Sequence, residues 1–291
     1  MKRRAFLLAA LCAAVAPARS AGPRFERGLL WRVAGRGAAP SHLFGTLHDA
    51  SPELAELPRP VVTAFERARR LMVEFVPDAD SAERFIEAAL LPDGQTLEEK
   101  IGTADFAQVA EALAPAGLAR EFVNRLKPWG ALLNLRDAGV SGADTPDARL
   151  VAAARARNVP VSPMEDVEEQ IFSFDECPMD TQVALLRHSL GHRDELLELA
   201  GRTRQAYLGR DLSAIWRLRE TFIARYPEVA AHQRVMTKRL LHDRSVVMAY
   251  RMQRELRRGD AFVALGALHL FGEKGVLALL EQDGYRAVPV F

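Results

Sequence analysis

The sequence predicts an α/β chain of the α+β kind: a mixed β-sheet flanked by helices, with a long helical section between its early and late strands. Three observations predict it. Two apolar runs with β-type spacing lie near the start, strand-like runs return at the very end, and residues 80–258 between them are mostly helical in pattern. A chain of 291 residues, 49% hydrophobic and 26% charged, can bury a sizeable core.

In chain order, "GLLWRV" and "SHLFGTL" flank the turn-rich "AGRGAAP" and read as a β-hairpin with a longer loop. Ser51 and Pro52 suit a helix cap and first position, with Leu57, Val61, Val62, Phe65 and Ala68 on one face. "RLMVEF" reads as a strand. Asp80 followed by Glu83 resembles a capping arrangement, and Thr145 and Pro146 open a further helix. "VPVSPM" is a short strand, and Tyr226–Pro227 breaks the helical section that follows. Arg-rich residues 254–258 suit a helix end before Gly259, where positive charge meets the carbonyl terminus. "AFVALGAL" is a strand, "EKGVLALLEQ" a helix stopped near Asp283 and Gly284, and "YRAVPVF" a last strand.

The first twenty residues differ in kind. Lys2, Arg3 and Arg4 precede an apolar run from Ala5 to Val15 and a small-residue stretch, Ala16 to Ala21. Residues 1–20 therefore read as a secretory signal peptide cleaved between Ala18 and Ala21, and residues 21–291 as a single domain. The apolar run is too short for a permanent transmembrane helix, so no stable membrane anchor is expected after cleavage. A secreted or periplasmic bacterial protein is expected. The leader holds four basic residues and no acid, so its loss turns the formal charge from +1 to −3. No basic surplus points to a nucleic-acid partner. Cys12 leaves with the leader and Cys177 remains alone, which excludes an intramolecular disulfide.

Two strand ends repeat one pattern. "HLFGTLH" ends on His48 and "FVALGALH" on His269, each three residues after a glycine, Gly45 or Gly266, which lets a strand bend or allows close backbone approach. If the two strands are neighbours, the two imidazoles converge. Glu74 ends "RLMVEF" and Glu165 follows "VPVSPM"; a carboxylate in such an apolar setting is costly unless paired or bound to a cation. Locally, Glu74 could pair with Arg69 or Arg70, and Glu165 could cap the next helix. Two imidazoles and a carboxylate with a position left for water suffice for a hydrolytic divalent metal, with Glu74 or Glu165 as the alternative base. No serine elbow or phosphate-binding glycine loop is present. His188 and His192, four apart on a helix, lack the glutamate of the zinc-protease motif.

The chain resembles the TraB/GumN family, which includes the Tiki metalloproteases. The resemblance is carried by "LWRVAGRGAAPSHLFGTLH", "RARRLMVEF", "LKPWGALL", "VPVSPMEDVEEQ" and the long block from "RLLHDRSVVMAYRMQ" to "GYRAVPV". It implies a shared α/β fold in which the motifs meet at one site, and, from the Tiki members, divalent-metal-dependent peptide cleavage. Carried over residue by residue, it assigns His48, Glu74 and His269 to one metal ion, with Gly45 and Gly266 as their backbone hinges. Glu74 and Arg244 become catalytic and Glu165 supporting. The family usually has asparagine after the arginine; here Ser245 stands there. The expected activity is hydrolysis of a peptide or small-molecule substrate with manganese, cobalt or zinc. Two alternatives stay open. One is a non-catalytic periplasmic protein that binds a metal or small ligand in the same pocket; the other is a metal-free hydrolase with a histidine base.

Overall fold

Six strands form one mixed sheet in the order β4-β3-β5-β2-β1-β6: β1 (Leu30–Ala34), β2 (Ser41–Thr46), β3 (Arg70–Val73), β4 (Val161–Pro163), β5 (Ala261–Gly266) and β6 (Arg286–Pro289). This computed structural model describes residues 25–35, 37–49, 51–136 and 145–291. The leader and cleavage region expected at residues 1–21 lie outside the described residues.

Strand β5 takes the centre because Ala261–Leu265 carry no polar side chain; all five are buried, as a strand covered on both faces requires. It runs parallel to β3 on one side and β2 on the other, and β4 extends the parallel set beyond β3. Antiparallel to β2 lies β1, as the hairpin reading expected, with Leu30 opposite Phe44 and Val33 opposite Ser41; β6 closes the far edge. The expected neighbourhood of the two glycine–histidine strands is therefore met, with Gly45 opposite Leu265 and Thr46 opposite Gly266.

Helices cover the sheet through Val61, Phe65, Leu150, Met248, Met252 and Leu277, all buried in one core. A second, purely helical core surrounds Trp129, which stacks on Phe174 at 5.1 Å and donates its indole N–H to Asp175 Oδ1 at 2.8 Å. Among the described residues no helix is long and apolar enough to cross a membrane.

Several local expectations need correction. Ser51 makes no side-chain cap, and Pro52 opens only a short 3-10 turn, Pro52–Leu54; the helix that buries Val61 and Phe65 is Arg59–Glu66. The next helix, Ala79–Ala88, is capped by Asp78 and not by Asp80. Asp78 accepts the Ser81 N–H at 2.8 Å while Ser81 Oγ accepts the Asp78 N–H at 2.9 Å. Serine closes this reciprocal box in place of the usual glutamate. Strand β5 ends at Gly266, and the chain turns at once into a short helix, Ala267–Leu270, that carries His269. The break at Tyr226–Pro227 and the stop after Arg258 are as expected.

The stop depends on Gly259, whose φ of 75° and ψ of 175° form a conformation open almost only to glycine. A Cβ there would also lie 2.6 Å from the Ala39 carbonyl oxygen. Gly259→Ala is expected to cost about 1–3 kcal/mol from the backbone alone, with the contact adding to it. A urea midpoint equal to wild type would contradict this.

Candidate functional site

Four parallel strands, β4, β3, β5 and β2, end on the same side of the sheet, and the residues just past their ends lie in that order: Glu165, Glu74, His269 and His48. A crevice beyond the carboxyl ends of parallel strands is where open α/β sheets place ligands. The four chemical groups come from points spread along the whole chain, and the sheet alone makes them neighbours.

Arg244 binds the first two together. It begins the helix Arg244–Arg258 immediately after a π-helical turn, Lys238–Asp243. Its Nε donates to Glu165 Oε1 at 2.9 Å, and Nη2 to Glu165 Oε2 at 2.6 Å and Glu74 Oε2 at 2.7 Å. Nη1 donates to the Leu240 carbonyl at 3.2 Å. Neither local pairing considered from sequence forms: Arg69 pairs with Asp260 and Arg70 with Glu255. Asp166, not Glu165, caps the helix Val167–Asp175.

The remaining oxygen of Glu74, Oε1, accepts the Gly266 backbone N–H at 2.5 Å and faces His269 Nε2 at 3.8 Å. Burial pushes the Glu74 carboxyl up, but His269, Arg244 and the Gly266 N–H together outweigh it and hold it at about 2. Burial dominates at Glu165, lifting its carboxyl above the ordinary range against the pull of Arg244. Burial also works against the Arg244 charge, yet its two carboxylates raise the guanidinium.

Ser245 orients His269. Its Oγ donates to the Leu241 carbonyl at 2.7 Å and lies 2.8 Å from His269 Nδ1. With the only hydroxyl proton committed, Oγ accepts from Nδ1–H, and Nε2 presents its lone pair to Glu74. The buried ring is held neutral: desolvation depresses its pKa to about 4, Glu74 opposing and Arg244 assisting. Ser245→Ala leaves Nδ1–H without that acceptor, so the expected result is a loss of the single tautomer seen by 15N NMR of His269, with Ser245→Thr retaining it. An unchanged tautomer in the alanine variant would show that the Leu241 carbonyl suffices.

These pKa directions have a consequence for stability. His269 binds a proton in the unfolded chain below about pH 6.5 but in the folded one only near 4, and Glu74 behaves likewise between about 4.5 and 2. Both therefore withdraw stability as pH falls, first His269 and then Glu74. Glu165, lifted by burial, works the other way in this window, so the comparison is with His269→Gln: stability should fall more from pH 6.5 to 4 in wild type than in the variant, and equal profiles would contradict a neutral buried His269.

The glycines act by close approach and not as hinges. A Cβ on Gly45 would meet Leu270 Cδ1 at 2.8 Å and Ala267 Cα at 3.0 Å, so its absence lets the short His269-bearing helix lie on β2. At Gly266 a Cβ would lie 3.2 Å from Glu74 Oε1. Neither residue has a positive φ.

His48 is not in contact with the other three. It lies two residues past β2, its side chain 63% exposed, with Nε2 3.3 Å from Asp147 Oδ2. Its charge is nonetheless felt at both Glu74 and His269, so the ring stands at the mouth of the same site. Among the described residues no group of three or more His, Cys, Asp or Glu side chains is arranged to hold a metal ion.

Three participants were not foreseen. Asp147, in the first turn of the helix Pro146–Ala156, lies beside His48, its buried Oδ2 making no hydrogen bond. Tyr207, far along the chain, donates to the Gly45 carbonyl at 2.8 Å. Thr46 shares a sheet face with Gly266, its register partner, and its buried Oγ1 has no hydrogen-bond partner. Only Thr46 left a signal, as the residue after the glycine in "GTLH".

A mixed sheet with this row of groups past its parallel strand ends is the frame on which the comparisons fall. The TraB/PrgY/gumN family model matches residues 29–289, and the chain belongs to that family. Two similar proteins are both described as uncharacterized protein YbaP. That of Shigella flexneri is 27% identical over 251 residues, covering 83% of this chain and 88% of its own. That of Escherichia coli strain K12 is 26% identical over 250 residues, covering 82% and 87%. No solved structure gives a significant match.

Proposed function

We propose that this chain is a metal-dependent hydrolase acting on peptide or amide bonds. The observation that supports it is the facing pair at the sheet centre: a neutral His269 with Nε2 turned to an ionised Glu74 at 3.8 Å. Thr46, the register partner of the Gly266 whose N–H binds Glu74, has a buried hydroxyl without a hydrogen-bond partner and adds a third lone-pair group next to the pair. A buried hydroxyl without a partner is costly, and a bound water or cation would satisfy it.

Imidazole nitrogen and carboxylate oxygen suit manganese, cobalt and zinc alike, and His48, Glu74 and His269 would hold one such ion. His48 would have to leave Asp147 to join. The ion would supply an acidified water and a polarised carbonyl. Glu74, held at about 2, would serve as a ligand, and Glu165, whose carboxyl burial lifts above the ordinary range, is the better matched base for the attacking water. Four of the five N–H donors of Arg244 are committed to Glu165, Glu74 and Leu240, so its main part is to fix the Glu74 carboxylate, with one Nη1–H left for an oxyanion or a substrate carboxylate. The leader read over residues 1–20 would place this activity outside the cytoplasm.

A second reading, a non-catalytic binding protein on the same pocket, is favoured by one observation: His48 is engaged by Asp147 instead of meeting Glu74 and His269. Elemental analysis of wild type beside His48→Ala and His269→Ala, followed by a peptide-cleavage screen with manganese, cobalt and zinc, separates the two. About one ion per chain with turnover supports the hydrolase. Stoichiometric ion without turnover supports the binding protein. Activity that survives chelation returns a histidine to the role of general base.

A further inference from the structure

Beside the Arg244–Glu165 pair a cleft of about 430 Å³ opens between the helix Val167–Asp175 and the π turn with its following helix. Its apolar wall is formed by Phe172 and Val247, which stay 60% and 37% exposed. Side chains of that size left in solvent along a cleft are a place for an apolar ligand group.

A complete charge account of the lining leaves one group over. Glu165 is held by Arg244, Glu169 by Arg251 at 2.5 and 2.6 Å, Glu168 by Arg84, and Asp243 by Lys238 at 2.7 and 2.9 Å. Asp166 accepts the Glu169 N–H at 2.9 Å and sits at a helix N-terminus, where the dipole favours its charge. Arg239 is the remaining charged residue. It is half-buried, lines the cleft, and makes no hydrogen bond or ion pair with another described residue. Cys177, the thiol that feels its charge, is buried with a raised pKa and offers no counter-ion. Arg239 and Arg244 stand five residues apart across the π turn, the spacing that brings them to one side of it.

We propose that this cleft binds the carboxylate of an apolar ligand, such as the C-terminal residue of a peptide, with Arg239 taking the carboxylate and Phe172 and Val247 the apolar group. The planar guanidinium matches a carboxylate with two parallel hydrogen bonds, and Arg239 has a free pair of donors where Arg244 has a single N–H left. As a substrate subsite the cleft rests on the hydrolase reading; as a binding site it does not.

The test uses 3-phenylpropionate and 3-phenylpropan-1-ol, which share a shape and contain no hydrolysable bond, titrated into the full 15N-labelled chain. The carboxylate is expected to bind at least about tenfold tighter than the alcohol, close to 1.4 kcal/mol. Arg239→Gln, checked for fold by circular dichroism, should remove that preference, and Phe172→Ala should weaken both probes. Equal affinity for the two probes, a preference that survives Arg239→Gln, or no binding of either overturns the proposal. Neither probe can be cleaved, so this failure is distinct from a failure of the hydrolase reading, which shows as absent peptide turnover in metal-loaded protein.

Discussion

Arg244→Met is expected to destabilise the fold by about 3–5 kcal/mol at neutral pH. The guanidinium holds Glu74, whose side chain is 12% exposed, and Glu165 at 4%. Methionine fills similar volume but leaves two carboxylates side by side without a cation. Breaking a buried charge cluster from one side costs far more than the cluster contributes, because the remaining charge stays desolvated. The pH dependence identifies this cause. In the variant Glu165, already lifted by burial with Arg244 in place, titrates further above its unfolded value, so the folded state takes up that proton as pH falls and the cost shrinks from pH 7 towards pH 5. That is the reverse of the acid loss expected from His269. Urea unfolding at both pH values decides it: a cost below about 1 kcal/mol at pH 7 would mean that the carboxylates reach water unaided.

The second large effect is on chemistry. On the proposed hydrolase reading, Glu74→Gln and His269→Ala should each lower hydrolysis by at least about 10²–10⁴, the range of a lost catalytic group, with the circular dichroism spectrum kept. Glutamine preserves the shape beside Gly266 N–H and Arg244 but carries no charge to hold the ion. Alanine at 269 removes the one nitrogen aimed at Glu74. His48→Ala should match them once His48 has left Asp147 for the ion, and its bound metal should fall as well. Turnover unchanged in either histidine variant removes this mechanism.

The sheet and the row of candidate residues were legible for a simple reason. A buried parallel strand must be an unbroken apolar run, so "FVAL" and "HLFG" announce themselves, and a histidine or glutamate just beyond such a run is conspicuous. What was not legible is how those groups are held. Arg244 reaches Glu165 across 79 residues and Glu74 across 170, and nothing local to any of them encodes that meeting. At the glycines sequence left bend and close approach both open, because it shows that a side chain is missing but not what fills its place, which at Gly45 is the helix carrying His269. His48 could be placed at a strand end, yet its turn towards Asp147 depends on a helix 99 residues further on. The caps failed on one register: Asp78 and Asp80 are chemically equal, and only the helix start chooses between them.

Because β5 is inserted between β3 and β2, the middle of the sheet is made after both of its neighbours and after the long helical section. The Ala261 N–H that bonds Ser41 Oγ closes a loop of 220 residues. Ordering such a loop is slow relative to forming the helices within it. A chain that ends before residue 261 has Glu74 and His48 but neither β5 nor His269, and so carries one member of the facing pair without the other. Whatever this site does is withheld until the chain has been made through His269 and β5 has found its place between β3 and β2.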